Sequence, residues 1–278
     1  MSLRDYLASR DFRFNKQFGQ NFISDGNLLA AIVADAGVTS EDTVLEIGAG
    51  AGTLTAALAE KARKVVAYEI DKNLVPILKE TLGSLDNVEV IFQDFMKATT
   101  EELRERFAGA RVVANLPYYV TTPILLRLLE EGIGDHITVM VQKEVADRLC
   151  AEPGGKDYGA ITVKMNLLGN TTMTRVVGRQ MFYPAPNVDS AVVRFDRQEN
   201  KFADPNPALT SRVVRTAFAM RRKTLTNNLM QGLGVSRAVA EAAIAKTGHP
   251  LTVRGEILSA KDYVALSAAL VEAGYQLK

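Results

Sequence analysis

Through the first 145 residues, short runs rich in valine and isoleucine alternate with longer stretches whose apolar residues recur every three or four positions. The runs at 43–47, 64–69, 88–92, 111–114 and 137–142 have the length and β-branched content of strands. Between them, Leu54, Ala57, Leu58 and Ala62, then Leu74, Ile77, Leu78 and Leu82, follow helical spacing. Repeated alternation of this kind predicts a parallel sheet covered on both faces, because parallel neighbours need a crossover and a helix supplies it. A later alternating stretch, 188–195, follows Pro184 and Pro186 and reads as a strand entering late, in an antiparallel hairpin. Asp204, Pro205, Asn206 and Pro207 then interrupt the pattern. Beyond them 210–219, 237–246 and 260–273 have helical spacing with many Ala and Leu, and no strand-like run follows. The predicted organisation is an α/β domain over residues 1–203 and a small all-α domain over 204–278.

Composition narrows the class. With 47% hydrophobic and 23% charged residues in 278, the chain has an ordinary globular balance and is too apolar for a disordered one. The longest apolar run, 28–34, is far short of the roughly 20 residues of a membrane span. The N-terminal residues Arg4 and Asp5 interrupt any secretory signal. Cys150 has no partner for an intrachain disulfide, and His136 and His249 belong to no ligand-spaced cluster, so a reducing cytoplasm and chemistry without a bound metal are expected. The formal net charge of +1 conceals a split. From Lys201 onward there are 11 basic and 5 acidic residues, leaving 22 and 27 in the first 200. Arg212, Arg215, Arg221, Arg222, Lys223 and Arg237 occur with no acid between residues 205 and 240. Such a lobe suits a polyanionic partner, although a solvated helix face has the same composition.

The first motif with chemistry is Val44-Leu45-Glu46-Ile47-Gly48-Ala49-Gly50-Ala51-Gly52, a strand entering a glycine-rich turn and then a helix. Glycines let the backbone turn sharply beside a ligand, and the helix that follows points N–H groups at it. The sixth position of a dinucleotide fingerprint falls on Thr53 or Thr55, so that reading fails, and the loop alone is equally a structural turn. Glu69, at the end of the second strand, can accept both ribose hydroxyls of a nucleoside. The third strand ends in Gln93-Asp94-Phe95, where a carboxylate can accept an adenine amino proton and a ring can pack on the base. Three successive strand ends of this kind favour an adenosine ligand without a pyrophosphate, a description that S-adenosylmethionine fits.

After the fourth strand comes Asn115-Leu116-Pro117-Tyr118, which looks like the motif of methyltransferases acting on exocyclic amines. The lone pair of adenine N6 is delocalised into the ring, so the nitrogen is a poor nucleophile until it is pyramidalised. The Asn115 side-chain carbonyl and a main-chain carbonyl of the Leu116-Pro117 turn can accept its two N–H groups and hold the lone pair outward. Pro117 stiffens the turn and Tyr118 offers a stacking face, worth about 1–3 kcal/mol.

With these motifs, the chain resembles the bacterial small-subunit rRNA adenine N6,N6-dimethyltransferase family over nearly its whole length. The resemblance is carried by Phe18-Gly19-Gln20-Asn21-Phe22, Glu46-Ile47-Gly48-Ala49-Gly50, Tyr68-Glu69-Ile70-Asp71, Gln93-Asp94, Asn115-Leu116-Pro117-Tyr118 and Val141-Gln142-Lys143-Glu144-Val145-Ala146. It continues through Phe182-Tyr183-Pro184-Ala185-Pro186-Asn187-Val188-Asp189-Ser190 and Arg221-Arg222-Lys223-Thr224-Leu225. It implies a Rossmann-like, S-adenosylmethionine-dependent methyltransferase sheet of seven strands, mostly parallel with one late antiparallel strand. It also implies that Gln20, Asn21, Ile23 (by its backbone), Gly48, Gly50, Glu69, Ile70, Asp94, Phe95 and Asn115 hold the cofactor. Asn115, Leu116, Pro117, Tyr118 and Phe182 would surround the target adenine, and Arg221, Arg222 and Lys223 would contact RNA. Lys143 and Glu144 are taken as structural or RNA-facing. Ala49 stands where the family usually has proline, which relaxes the turn slightly.

The implied activity is methylation of two adjacent adenines in a small-subunit rRNA hairpin, within an assembling particle, by a cytoplasmic monomer. A rival is the large-subunit rRNA adenine methyltransferase family of the macrolide-resistance type, which shares fold and motif. Val188-Asp189-Ser190-Ala191-Val192-Val193 and Arg221-Arg222-Lys223-Thr224-Leu225 favour the first. A non-catalytic assembly factor is the alternative of another class, and its signature would be loss of Glu69, Asp94 or Asn115.

Overall fold

The computed structural model describes residues 20–276. A two-residue strand β1 (Phe22–Ile23) precedes α1 (Gly26–Ala36), β2 (Thr43–Ile47), α2 (Thr53–Ala59) and β3 (Lys64–Glu69). The alternation continues with α3 (Val75–Leu82), β4 (Val88–Phe92), α4 (Thr100–Phe107), β5 (Arg111–Asn115), α5 (Thr121–Glu131) and β6 (His136–Gln142). Then come α6 (Lys143–Leu149), α7 (Ala160–Leu168), β7 (Gly169–Val177), β8 (Phe182–Tyr183) and β9 (Ser190–Arg197). The chain ends in α8 (Pro207–Ala217), α9 (Leu225–Leu233), α10 (Arg237–Lys246) and α11 (Ala260–Glu272).

Seven strands form one sheet in the order β4-β3-β2-β5-β6-β9-β7, and β1 pairs with β8 in a separate ribbon. Strands β2 to β6 pair in parallel, whereas β9 runs antiparallel to β6, with Val139 opposite Val193. Val44, Leu45, Val65, Val66 and Ala67 are buried as a parallel strand covered on both faces requires. From β2 the chain winds outward through β3 and β4, then returns to place β5 on the other side of β2. That reversal opens a crevice beyond the C-terminal ends of β2 and β5, the place where ligands bind in open α/β sheets.

Two predicted features change. Strand β7 is not visible in the hydrophobic pattern: it is an edge strand with Thr171, Thr172, Thr174 and Arg175, and a half-exposed edge needs few apolar side chains. The break at residues 204–207 is not where the chain passes between units. One compact unit comprises residues up to 146 with 172–196, and a second comprises 147–171 with 197 onward. The reason is packing: Tyr158 and Val163 share the helical core with Leu209, Val213, Leu225, Leu229, Tyr263 and Leu266. Tyr158 also donates its hydroxyl to the Leu258 carbonyl at 3.1 Å. The recruited segment 147–171 has three basic and three acidic residues, so the basic surplus of the helical unit survives the change. Among the described residues, no helix is long and apolar enough to cross a membrane.

Candidate functional site

The chain leaves β2 into a loop in which Gly48, Gly50 and Gly52 have φ of 85°, 57° and 81°. Gly50 is doubly constrained, because a Cβ there would also lie 2.9 Å from the Phe22 ring. The loop is bound to the next strand. Gly48 and Ala49 donate their N–H groups to the Tyr68 carbonyl at 2.8 and 3.2 Å, and Gly50 donates to Glu69 Oε2 at 2.8 Å. The other oxygen, Oε1, accepts the Asp71 N–H at 2.8 Å, and Asp71 accepts from Gln20 Nε2 at 2.7 Å. Burial raises the pKa of Glu69, and the N–H groups of Asp71, Gly50 and Ile70 oppose that rise. A carboxylate oxygen has two acceptor sites, so Glu69 can hold the loop and still accept two hydroxyls.

Across the crevice, Asn115 ends β5 and donates Nδ2 to the Asn21 carbonyl at 3.0 Å. A carbonyl only accepts, so this contact fixes which end of the amide faces Asn21 and which end is presented as an acceptor. The Pro117 carbonyl is already engaged by the Val120 N–H at 3.2 Å and the Thr121 hydroxyl at 3.1 Å, leaving the Leu116 carbonyl as the turn's other acceptor. The Leu116 side chain is core, so its part in the site is through its backbone. Tyr118 is held by a hydrogen bond of 2.7 Å between its hydroxyl and the buried Ser190 hydroxyl. Burial raises its pKa, opposed by that bond.

These elements line one half-open cleft beyond the C-terminal ends of β2 and β5. Its wall brings together Gln20, Asn21, Ile23, Gly48, Gly50, Glu69, Ile70, Asn115, Leu116, Pro117 and Tyr118, all singled out from the sequence. Phe18 and Gly19 of the first motif lie outside the described residues. The wall also includes Glu46, Thr53 and Tyr119, which motif reasoning passed over. Thr53 donates its hydroxyl to the Ile23 carbonyl at 2.8 Å, and Tyr119 is 55% exposed at the rim. An acid inside the apolar run Val44-Leu45-Glu46-Ile47 was the available signal for Glu46.

Two rings expected at the ligand are placed elsewhere. Phe95 is 4% exposed, its ring edge-on to Tyr68 at 5.5 Å and under the Arg127 guanidinium, so it is a core side chain and not a cover for a base. Asp94 lies two residues beyond β4, with Oδ1 accepting the Met96 N–H at 2.9 Å, and its charge is felt by Tyr119 at the cleft rim. Phe182 is 4% exposed and sits opposite Ile23 in the β1–β8 ribbon, clustered with Val113, Met140 and Val192. As placed, its ring supports Ile23 and offers no face to a base. Arg221, Arg222 and Lys223 are exposed in the helical unit, and Arg221 donates to the Lys156 carbonyl at 2.7 Å.

Among the described residues that line the cleft, two are carboxylic acids and none is Lys, Arg or His. Glu46 is 1% exposed, and its Oε2 has no hydrogen-bond partner. A described wall with two acids, no base and an orphaned buried oxygen suits a nucleoside bearing positive charge, such as S-adenosylmethionine, better than a phosphate.

A model of the ribosomal RNA adenine dimethylase family matches residues 11–252. Ribosomal RNA small subunit methyltransferase A of Geobacillus thermodenitrificans is 44% identical over 96% of this chain and 94% of its own. Among solved structures, a dimethyladenosine transferase from Plasmodium falciparum superposes with TM-score 0.75 at 25% identity, covering 91% of this chain and 98% of that one. The 23S rRNA methyltransferase ErmE superposes with TM-score 0.70 at 28% identity, covering 90% and 100%. A match that spans most of the chain, together with the loop, the acid and the Asn-Leu-Pro-Tyr turn assembled at one crevice, makes this chain a member of the ribosomal RNA adenine dimethylase family.

Proposed function

We propose that the protein transfers methyl groups from S-adenosylmethionine to N6 of two adjacent adenines in a small-subunit rRNA hairpin, acting as a monomer on an assembling particle in the cytoplasm. The observation that carries this reading is the Asn115 amide, oriented by the Asn21 carbonyl beside the loop that Glu69 holds. When bound, the cofactor supplies an electrophilic methyl carbon. The chain's own residues position the nucleophile. In the first transfer Asn115 Oδ1 and the Leu116 carbonyl accept the two N–H groups of the base, which directs the nitrogen lone pair away from them; in a second transfer to the same nitrogen, after a proton has left to solvent, one N–H remains for them to hold. The Tyr118 ring, fixed through Ser190, limits how the base can lie. No general base is required before methyl transfer, since the nitrogen becomes strongly acidic only once it has gained the methyl group. Catalysis is then mainly alignment and preorganised hydrogen bonding.

The target adenine must leave its stack to reach a recessed turn. Arg221, Arg222 and Lys223 supply phosphate contacts that position RNA without reading its sequence. Similarity to small-subunit enzymes at 44% identity supports the small subunit over the large, and retention of Glu69, Asp94 and Asn115 supports catalysis over assembly alone. The test supplies labelled S-adenosylmethionine with immature small subunits, mature small subunits and large-subunit RNA, and maps the methylated bases. Label on paired adenines of immature small subunits is the expected result. Label confined to large-subunit RNA would overturn it.

A further inference from the structure

Glu46 lines the cleft yet takes no part in the reaction described above. It lies within β2, 1% exposed, with Oε2 unpartnered. From α2 it is faced by Thr55, whose hydroxyl lies close without forming a hydrogen bond of normal geometry. From β3 it feels the charge of Glu69. The facing wall contributes the uncharged amides of Asn21 and Asn115, and no Lys, Arg or His is among the described lining residues. A carboxylate so buried, with no counter-ion among the described residues, is favoured as the neutral acid while the cleft contains no cation. Burial accordingly pushes its carboxyl up to about 8, with Thr55 opposing and Glu69 adding to the rise.

A cation entering the cleft reverses that preference. S-adenosylmethionine carries an ammonium, a carboxylate and a sulfonium, and is net positive. S-adenosylhomocysteine keeps the first two and has a neutral thioether, so it is net neutral. We propose that Glu46 reads this difference: it releases its proton to solvent when the sulfonium donor occupies the cleft and retains it beside the thioether product, so that the site favours donor over spent cofactor. No bond to the ligand is made or broken in this step. The inference rests on the cofactor reading of the preceding subsection.

The test is calorimetric titration of the full chain with each compound in buffers of different ionisation enthalpy near neutral pH. S-adenosylmethionine should release more protons than S-adenosylhomocysteine, by up to about one per site. Glu46→Gln, close in shape to the neutral acid, should abolish the difference and lower the donor-to-product affinity ratio about tenfold. Ionisations of the ligands themselves remain in the variant and so cancel in the comparison. Equal proton release for both compounds in the unaltered protein would overturn the inference, whether or not the variant folds. Unchanged release in a folded Glu46→Gln would also overturn it. Failure of S-adenosylmethionine to bind at all would remove the cofactor reading and this inference with it.

Discussion

The side-chain nitrogen of Asn115 lies 3.0 Å from the carbonyl oxygen of Asn21, a contact between residues 94 apart in the chain that orients the reacting amide. Asn115→Ala removes both the anchored nitrogen and the acceptor oxygen. Turnover with saturating RNA should fall about 10²–10³-fold, the range for losing one preorganised group, while cofactor affinity changes by less than about tenfold. Single-turnover methyl transfer together with equilibrium cofactor binding separates the two effects. Unchanged turnover would refute the role of Asn115.

Glu69 accepts the Gly50 and Asp71 N–H groups on separate oxygens. Glu69→Gln turns one acceptor into a donor that must face an N–H or the ligand's hydroxyl. Cofactor affinity should weaken about ten- to a hundredfold, measurable by calorimetry. If affinity were unchanged, Glu69 would be holding the loop without touching the ligand.

Glu46 makes a stability prediction of definite sign. In the folded protein the acid keeps its proton up to about pH 8, whereas the unfolded chain releases it near 4.5. Between those values the unfolded state binds fewer protons, so stability is lost as pH rises through the interval and levels off above it. Glu46→Gln has no proton to withhold. The ligand-free variant should unfold at the same midpoint as the parent below about pH 4.5 and should be more stable at neutral pH, by about 1–3 kcal/mol. Chemical denaturation across this range checks it.

The basic patch separates by structure. All three side chains are exposed, and Arg221 in addition donates to the Lys156 carbonyl of the loop before α7. Replacing Arg222 and Lys223 with alanine should weaken RNA binding and lower the slope of log affinity against log salt by about 0.7–0.9 for each phosphate that is no longer neutralised. Arg221→Ala should in addition speed hydrogen exchange in residues 152–157. An unaltered salt slope would place the RNA-binding surface elsewhere.

Much of the fold was legible because strand and helix periods are local properties. Strands β2 to β6 fall within a residue of the runs predicted for them, and the glycine loop, Glu69 and the Asn-Leu-Pro-Tyr turn each lie at a strand end, where three or four adjacent residues suffice to identify them. Parallel pairing then brings those ends to one crevice, which turns separate motifs into a site. Phe95 and Phe182 read as ligand contacts because they adjoin functional motifs, but adjacency along the chain does not say which side of a wall a ring occupies. Tyr68 and Arg127 in one case, Ile23 and Val113 in the other, come from distant segments and make both rings core.

The amino-acid sequence by itself determined the βα alternation, the family and the residues able to bind a nucleoside and hold an amine, since these depend on spacing and side-chain chemistry. Only the tertiary structure decided which amide end of Asn115 faces a base, that Glu46 is buried within reach of the Glu69 charge, and that residues 147–171 join the helical core. Each of these depends on partners far away in sequence, and burial, hydrogen bonding and charge proximity exist only once the chain has brought those partners together.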